Sequence, residues 1–316
     1  MDRKPGAAGV EAATVVCVAS WNADLISHVA RPIERGETLM ASSFSISPGG
    51  KGSNAAVAAA RQGASVALIA RIGDDDFGRM GMKLWHDERI QTQHVEQATG
   101  ESSGVAQILV FDDGDNSIAV HTGAGAGLNA SHALAANALV QSCRVVMASC
   151  EVPLEATLQA FKLARQAKAI TLLNPAPARP LSDELLALTD VLTPNESELK
   201  LLAGPGHDTS IDTAAAHLLA RGAGAVLVTL GAAGCRLYQP GLDAVELAGR
   251  TMPVHDTIGA GDTFTGALAA AMARGETLAD AMRWANAAAA LSVTRHGAVA
   301  GIPGLDEVAA HLLARD

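Results

Sequence analysis

The sequence predicts an α/β protein: a mostly parallel, doubly wound sheet flanked by helices, with a small β-sheet projecting from it as a lid. Three observations carry this reading. Short apolar, β-branched runs alternate with helical stretches along the chain. Aromatic residues are few, with three Trp, one Tyr and five Phe in 316 residues, so the core must be built from Ala, Val, Leu and Ile, which favours packed helices and strands over a β-sandwich. Two segments, 23–48 and 103–122, break the alternation. A chain of this length can bury a substantial core.

In chain order, the strand candidates are "TVVCVAS" (14–20), "SVALIARIG" (65–73), "RVVMAS" (144–149), "AITLLN" (169–174), "DVLTPN" (190–195) and "GAVLVTLG" (224–231). Most are apolar throughout rather than alternating, as strands buried on both faces of a parallel sheet are. Helices are predicted over 52–62, 77–89, 155–168 and 211–221, and from about 261 onward the chain is mostly helical. The βαβ rhythm places ligands beyond the carboxyl ends of the strands. Segment 23–48 has little helix signal, and "SGVAQILVFDDGDNSIAVHT" (103–122) has two strand-like runs joined by a Gly/Asp/Asn turn, so both are assigned to the lid. No linker or repeat interrupts the chain. Residues 1–13 are expected to form a flexible tail and 14–316 a single domain.

Composition excludes several classes. Net charge is −10 and Lys and Arg are scattered, which argues against a nucleic-acid partner. The four cysteines lack CxxC spacing, and the ten histidines lack HxH or HExxH spacing, so neither a zinc site nor a disulfide framework is indicated. The N-terminus lacks a continuous apolar stretch, and no run approaches the roughly 18 apolar residues of a membrane span. A cytoplasmic protein with no membrane partner is expected.

Several constellations suit small-ligand chemistry. "SPGGKGSNAAVAAA" (47–60) fails the GxxxxGK[ST] spacing of a phosphate loop. Its glycines, Gly50 among them, let a ligand approach the backbone, and Lys51 and Asn54 supply donors for hydroxyl groups; a glycine-rich turn capping a helix is the alternative. In "SWNAD" (20–24), Asn22 and Asp24 project from one face of an extended chain and suit the adjacent hydroxyls of a polyol, although an Asx turn explains the fragment equally well. Glu151 follows a strand and reaches the same cleft, or is a solvated loop acid. "TPNESE" (193–198) sets Asn195 and Glu198 one helical turn apart, able to hold a water-coordinated Mg²⁺ or simply to cap a helix. "VTLGAAG" (228–234) ends a strand in a glycine loop suited to a nucleotide or to a plain turn. "HTGAGAG" (121–127) lacks GxGxxG spacing, and no such motif follows the first strand, which argues against an NAD-dependent dehydrogenase.

The most telling stretch is "HDTIGAGDTFTGALAAAM" (255–272), which places Gly259, Ala260, Gly261 and then Asp262 at the mouth of an alanine-rich helix. A helix cap accounts for it. The alternative is an anion hole of backbone amides for a transferring phosphoryl group, with Asp262 as general base for the attacking hydroxyl.

Two long stretches, "GGKGSNAAVAAARQGASVALIARIG" (49–73) and "DTIGAGDTFTGALA" (256–269), resemble the two signatures of the ribokinase family of carbohydrate kinases, in the family's order. "NPAPARPLSDELLALTDVLTPNESE" (174–198) and "AAAALSVTRHGA" (287–298) extend the resemblance, which runs from about residue 14 to the C-terminus. It implies a Rossmann-like core with a β-lid that pairs in a homodimer. It also implies transfer of the γ-phosphoryl of ATP to a sugar, here the primary 5-hydroxyl of D-ribose, with fructose, deoxyribose or a nucleoside as alternatives. A non-catalytic sugar-binding regulator is the reading from another class. By the same resemblance Asn22, Asp24, Gly50, Lys51, Asn54 and Glu151 hold the sugar. Asn195, Glu198, Thr229, Gly231, Gly234 and Asn286 line the nucleotide and Mg²⁺ side, and Asp262 is the base. A K⁺ ion behind the anion hole maps to the Asp256 carboxylate and to groups at Ile258, Ser292, Arg295, Gly297 and Gly301. Three positions depart from the family pattern. Gly301 replaces a serine, Gly123-Ala124-Gly125 replaces a lid-end "GAN", and Trp21 replaces a smaller aliphatic residue, where it is expected to add bulk beside the sugar.

Overall fold

The computed structural model describes residues 12–207 and 210–314. Its strands are β1 (Val15–Val18), β2 (Asn22–Val29), β3 (Ser43–Gly49), β4 (Val66–Gly73), β5 (Gln91–Ala98), β6 (Gly104–Phe111), β7 (Asn116–His121), β8 (Val145–Ser149), β9 (Ile170–Asn174), β10 (Val191–Leu192), β11 (Val226–Thr229), β12 (Gly234–Tyr238) and β13 (Val245–Ala248). Nine strands form one sheet in the order β13-β12-β11-β10-β9-β8-β1-β4-β5, and β3-β2-β6-β7 form a second. From β5 to β11 the main sheet is parallel; β12 and β13 close it as an antiparallel edge.

The unbroken apolar runs follow from burial on both faces. Along β1, Val15 and Cys17 pack into the core on one side, while Val16 and Val18 pack into the core on the other. The first side is roofed by helices Lys51–Arg61, Ala260–Arg274 and Leu278–Ser292, the second by helices that include Leu154–Ala167 and Ile211–Ala220. Alanine dominates the first interface because the helices approach closely. A Cβ on Gly266 would stand 2.2 Å from the Ala55 carbonyl oxygen, so helices Lys51–Arg61 and Ala260–Arg274 touch backbone to backbone. The strand order reverses at β1, between β4 and β8, and the crevice at their carboxyl ends is where an open α/β sheet binds ligands.

The predicted strands and helices are present, with ends shifted by a few residues. Two features of the sheet were not legible. β5, "QTQHVEQA", is a sheet-edge strand with a polar sequence, which carries no apolar run to reveal it. The β12–β13 hairpin follows a strand that reads as the end of the sheet. Of the tail expected over 1–13, residues 1–11 lie outside the described residues, and Ala13 is buried.

The lid sheet arises from both predicted segments. β2 pairs antiparallel with β3 and parallel with β6, and β6 pairs antiparallel with β7. Large apolar side chains stay uncovered on its edge strands: Phe44 and Ile46 on β3, Ile118 and Val120 on β7. No helix among the described residues is long and apolar enough to cross a membrane.

Candidate functional site

The chain leaves β1, bends at Ser20–Trp21 and enters the lid at Asn22. Asn22 and Asp24 lie two apart on β2 and share a face, as extended backbone requires. Each fits only because a glycine stands opposite. A Cβ on Gly104 would lie 2.3 Å from Asn22 Oδ1, and one on Gly49 would lie 2.2 Å from Asp24 Oδ1. Gly50 has φ 92° and sits against the Ser20 carbonyl and the Trp21 Cα, so its place in the turn needs both the left-handed backbone and the missing side chain.

Gly50 begins helix Lys51–Arg61 without a side chain to cap it. Glu151, at the end of β8, supplies the cap: its Oε2 accepts from the Lys51 N–H (2.8 Å) and the Ser20 hydroxyl (2.7 Å). One oxygen of the carboxylate expected on the sugar side is thus committed to the helix N-terminus, where a negative charge is favoured. The Ser20 hydroxyl oxygen accepts in turn from the Gly52 N–H (3.0 Å).

Asp262 lies in the first turn of helix Ala260–Arg274 and is 5% exposed. Gly259 starts that helix with φ 77°, and a Cβ there would press on Ala298 at 3.0 Å. Asn54 donates its Nδ2 to Asp262 Oδ2 at 2.9 Å, a bond across 208 residues made possible by the close packing of the two helices. The expected cradle of three amides is narrowed: the Ala260 N–H donates to the Thr257 carbonyl (3.3 Å), while Thr263 is the first to bond back along the helix, to Gly259 (2.8 Å). The first-turn N–H groups of Gly261 and Asp262 have no intrahelical partner to find, and Gly261 has open space around it.

Four carboxylates surround one ammonium. The field of Asp262, then those of Glu151, Glu198 and Asp24, hold the Lys51 pKa above its usual value against the opposing effect of burial. Burial pushes the Asp262 carboxyl above the usual carboxylate range; Lys51 and the Asn54 bond pull it back, and Glu151 and Glu198 add to the rise. Asp24 is pushed up to about 6 by burial and by the charges of Glu151 and Asp262, against Lys51. Buried carboxylates of raised pKa beside a hydrogen-bonded amide are what proton abstraction from a hydroxyl needs.

Lys51 and Asp262 share a cavity of about 180 Å³ with Asn174, Thr193, Asn195, Glu198, Thr229, Thr257 and Gly261. Asn174, Thr193 and Thr257 lie in stretches that carry the resemblance, but no spacing singles them out within those stretches. A larger cavity, about 520 Å³, adjoins it and is lined by Asn195, Thr229, Gly231, Gly234, Gly261, Phe264 and Asn286 among others. The predicted nucleotide-side residues therefore converge. Asn195 and Glu198 also form a capping box, Asn195 Oδ1 accepting from the Glu198 N–H (2.8 Å) and Glu198 Oε2 from the Asn195 N–H (2.9 Å). Cap and cavity wall are thus the same residues. Asn286 donates its Nδ2 to the Ala248 carbonyl at 3.2 Å.

Behind the Gly259–Asp262 turn, Asp256 ties two loops together. Its oxygens accept from the Ile258 N–H (2.9 Å) and the Gly297 N–H (2.8 Å). The carbonyl oxygens of Ser292, Gly297 and Arg295 converge on Gly301, lying 2.8, 3.0 and 3.6 Å from where its Cβ would stand. The side chains turn elsewhere: Ser292 bonds to the Ala289 carbonyl, Arg295 pairs with Glu307, and Ile258 is exposed. Trp21, one residue before Asn22, is 3% exposed, packs against Trp85 and donates its indole N–H to the Phe77 carbonyl (3.1 Å), so its ring is turned into helix Asp76–Asp87.

Residues 12–304 match the pfkB family of carbohydrate kinases. The chain is 37% identical over 294 residues to the ribokinase of Bacillus subtilis, covering 93% of this chain and 97% of that one. It is 36% identical over 296 residues to the ribokinase of Haemophilus influenzae, covering 93% and 96%. A solved structure of Arabidopsis thaliana ribokinase complexed with ribose and ATP is similar at TM-score 0.89 and 31% identity, covering 95% of this chain and 99% of that one. The likeness spans the lid, the crevice and the Asp262 helix alike: this chain belongs to the pfkB family of carbohydrate kinases.

Proposed function

We propose that the protein transfers the γ-phosphoryl group of ATP to the primary 5-hydroxyl of D-ribose, giving ribose 5-phosphate and ADP. The observation that carries this is Asp262: a buried carboxylate of raised pKa, bonded to Asn54, at a helix N-terminus and in one cavity with Lys51, Asn195 and Glu198. The Arabidopsis relative, complexed with ribose and ATP, supports the pair of substrates.

In this reading Asn22, Asp24 and Asn54 hold the ring hydroxyls, and the primary hydroxyl faces Asp262, which accepts its proton as the oxygen attacks phosphorus. Asn54 holds the Asp262 carboxylate by one oxygen and leaves the other for the hydroxyl. Lys51, placed between the sugar-side and nucleotide-side carboxylates, neutralises charge on the moving phosphoryl group, and the N–H groups of Gly261 and Asp262 do so from the helix end. The large cavity takes the nucleoside, with Thr229, Gly231, Gly234 and Asn286 along its wall.

Mg²⁺ fits beside Asn195 and Glu198, since Glu198 has a carboxylate oxygen beyond the one in the capping box and this ion keeps much of its water. Bound there with the nucleotide, it neutralises phosphate charge that three surplus carboxylates would otherwise repel. K⁺ fits the carbonyl cluster of Ser292, Arg295 and Gly297, where it fixes the loop that Asp256 ties to the Gly259–Asp262 turn. The uncovered side chains and free edges of β3 and β7 suit pairing of the lid with a second copy of the chain, giving a homodimer.

The test is an ADP-release assay with ribose, 2-deoxyribose, fructose and adenosine at equal enzyme concentration. The highest kcat/KM for ribose, with the product phosphorylated on its primary hydroxyl, is expected. Preference for another acceptor reassigns the substrate, and sugar binding without turnover overturns the kinase assignment.

A further inference from the structure

The lid is rooted at one line of residues. β2 begins at Asn22, paired with Gly49 at the end of β3 and with Gly104 at the start of β6. Two side chains fasten that line to a single element, helix Asp76–Asp87. From the β2 side, Trp21 donates its indole N–H to the Phe77 carbonyl in the helix's first turn (3.1 Å). Its ring lies so close to the next turn that a Cβ on Gly81 would stand 2.8 Å from Trp21 Cε2. The ring also meets Trp85 edge-on at 5.5 Å between centroids, and Trp85 donates to Ser53 Oγ (2.9 Å) on helix Lys51–Arg61. From the β6 side, the helix's own N-cap, Asp75, reaches past the cap. Its Oδ1 accepts from the Gly78 N–H (2.7 Å) and the Ser103 hydroxyl (2.7 Å), and its Oδ2 accepts from the Ser103 N–H (2.8 Å), one residue before β6.

These contacts exceed what a helix cap or a core tryptophan requires. A cap needs one acceptor for the first turn; Asp75 spends its second oxygen on the lid root. Gly78 belongs to the same fit, since a Cβ there would strike the Gly73 carbonyl at 2.0 Å and Ser103 Oγ at 3.1 Å. Helix Asp76–Asp87 therefore holds β2 and β6 from below, immediately before Asn22 and Gly104.

We propose that Trp21 and Asp75 form a two-point clamp that fixes the root of the lid on helix Asp76–Asp87 and thereby sets the position of Asn22 and Asp24 for the sugar. Both are positioning residues: Trp21 directly precedes Asn22, and Asp75 holds Ser103, the residue before the Gly104 that pairs with Asn22. The inference rests on the reading of Asn22 and Asp24 as sugar ligands.

The test uses the full chain with Trp21→Phe, Asp75→Asn, their double variant and Gly81→Ala. Trp21→Phe removes the N–H and keeps an aromatic ring. Asp75→Asn keeps an acceptor for Gly78 and puts a donor in front of the Ser103 N–H. Gly81→Ala keeps both clamp side chains chemically intact and displaces the Trp21 indole. Each single change is expected to raise the ribose KM roughly three- to tenfold, the size of one lost hydrogen bond of ordinary strength. The ATP KM, and kcat at saturating ribose, should stay within about twofold. The double variant should fall short of the product of the singles, as coupled residues do. Unchanged ribose KM, or equal changes in all three constants alongside a lower melting temperature, overturns the clamp. Asp24→Asn separates the two readings. If it weakens ribose binding while the clamp variants do not, the clamp alone is wrong; if it leaves ribose binding intact, the sugar-side assignment fails and takes the clamp with it.

Discussion

The two sides of the crevice are built from different materials. On the proposed sugar side, Asn22, Asn54 and Asp262 are polar side chains between 5% and 6% exposed, and Asn54 and Asp262 are bonded to each other. Opposite, the wall of the large cavity is mostly apolar, with Ala232, Met252, Val254, Phe264, Ala289 and Val293 and glycines at 231, 234 and 249, and with Asn195, Thr229 and Asn286 among its polar groups. A wall of buried polar groups rejects a ligand that leaves one of them unpaired, at about 1–3 kcal/mol each. An apolar wall distinguishes shapes only weakly. Selectivity should therefore reside on one side and tolerance on the other.

The sharpest way to break this contrast is at its centre. Asp262→Asn keeps shape and burial but removes the base, and kcat should fall by about 10²-fold or more. Stability should move the other way. The folded carboxyl has a raised pKa, so at neutral pH its ionised form weighs against folding, and the neutral amide should melt at the same temperature or higher. A well-folded variant with near-normal turnover would remove Asp262 from the chemistry.

Next in size is acceptor choice against donor choice. Replacing ribose by 2-deoxyribose should lower kcat/KM by about 10- to 100-fold, whereas replacing ATP by GTP should change it by less than about tenfold. Equal penalties on both sides would end the comparison.

A titration sharpens it further. Ionised Asp24 accepts from hydroxyls through both oxygens and more strongly than the neutral acid, and its carboxyl is pushed up to about 6, so ribose affinity should weaken as pH falls through that value while ATP affinity does not. Stability has the opposite sign. A carboxyl raised in the folded state stabilises below its unfolded pKa of about 4 and loses that contribution as pH rises through about 6. Isothermal titration with ribose and melting curves over pH 4.5–8, wild type against Asp24→Asn, should show both limbs flatten in the variant.

Smaller effects lie outside the two walls. Exchanging K⁺ for Na⁺ or a bulky organic cation should slow turnover several-fold. A serine Cβ at 301 would stand 2.8 Å from the Ser292 carbonyl oxygen, so Gly301→Ser should blunt the K⁺ response. At the lid edges, Ile46→Glu with Ile118→Lys should convert a dimer to monomers in light-scattering measurements without changing the fold, because both side chains are already exposed.

Much of this was legible because it is local. The two-sided burial of β1, β4, β8 and β9 is written in unbroken Val, Leu and Ile runs, and the two lid segments announced themselves by interrupting the rhythm. The Gly259–Asp262 turn stood out by putting a carboxylate at the mouth of an apolar helix. β5 did not, because a polar edge strand leaves no periodic apolar trace. Asn174 and Thr193 were invisible since a single polar residue after a strand has many ordinary explanations, and only the fold brings them to the cavity. For the same reason the packing of Trp21 was not legible: sequence position sets it beside Asn22, and only the fold shows its ring directed into helix Asp76–Asp87.

By itself, then, the chain determined which residues form strands and helices and which stretches line the crevice, because periodicity, turn chemistry and glycine placement act over a few neighbours. Only the tertiary structure decided how those groups are used. Glu151 became a helix cap across 100 residues, Asn54 found Asp262 across 208, and Gly301 proved to be a place where carbonyls meet. Such pairings depend on the close approach of elements that are distant in sequence, and no local pattern encodes the angle at which a side chain arrives.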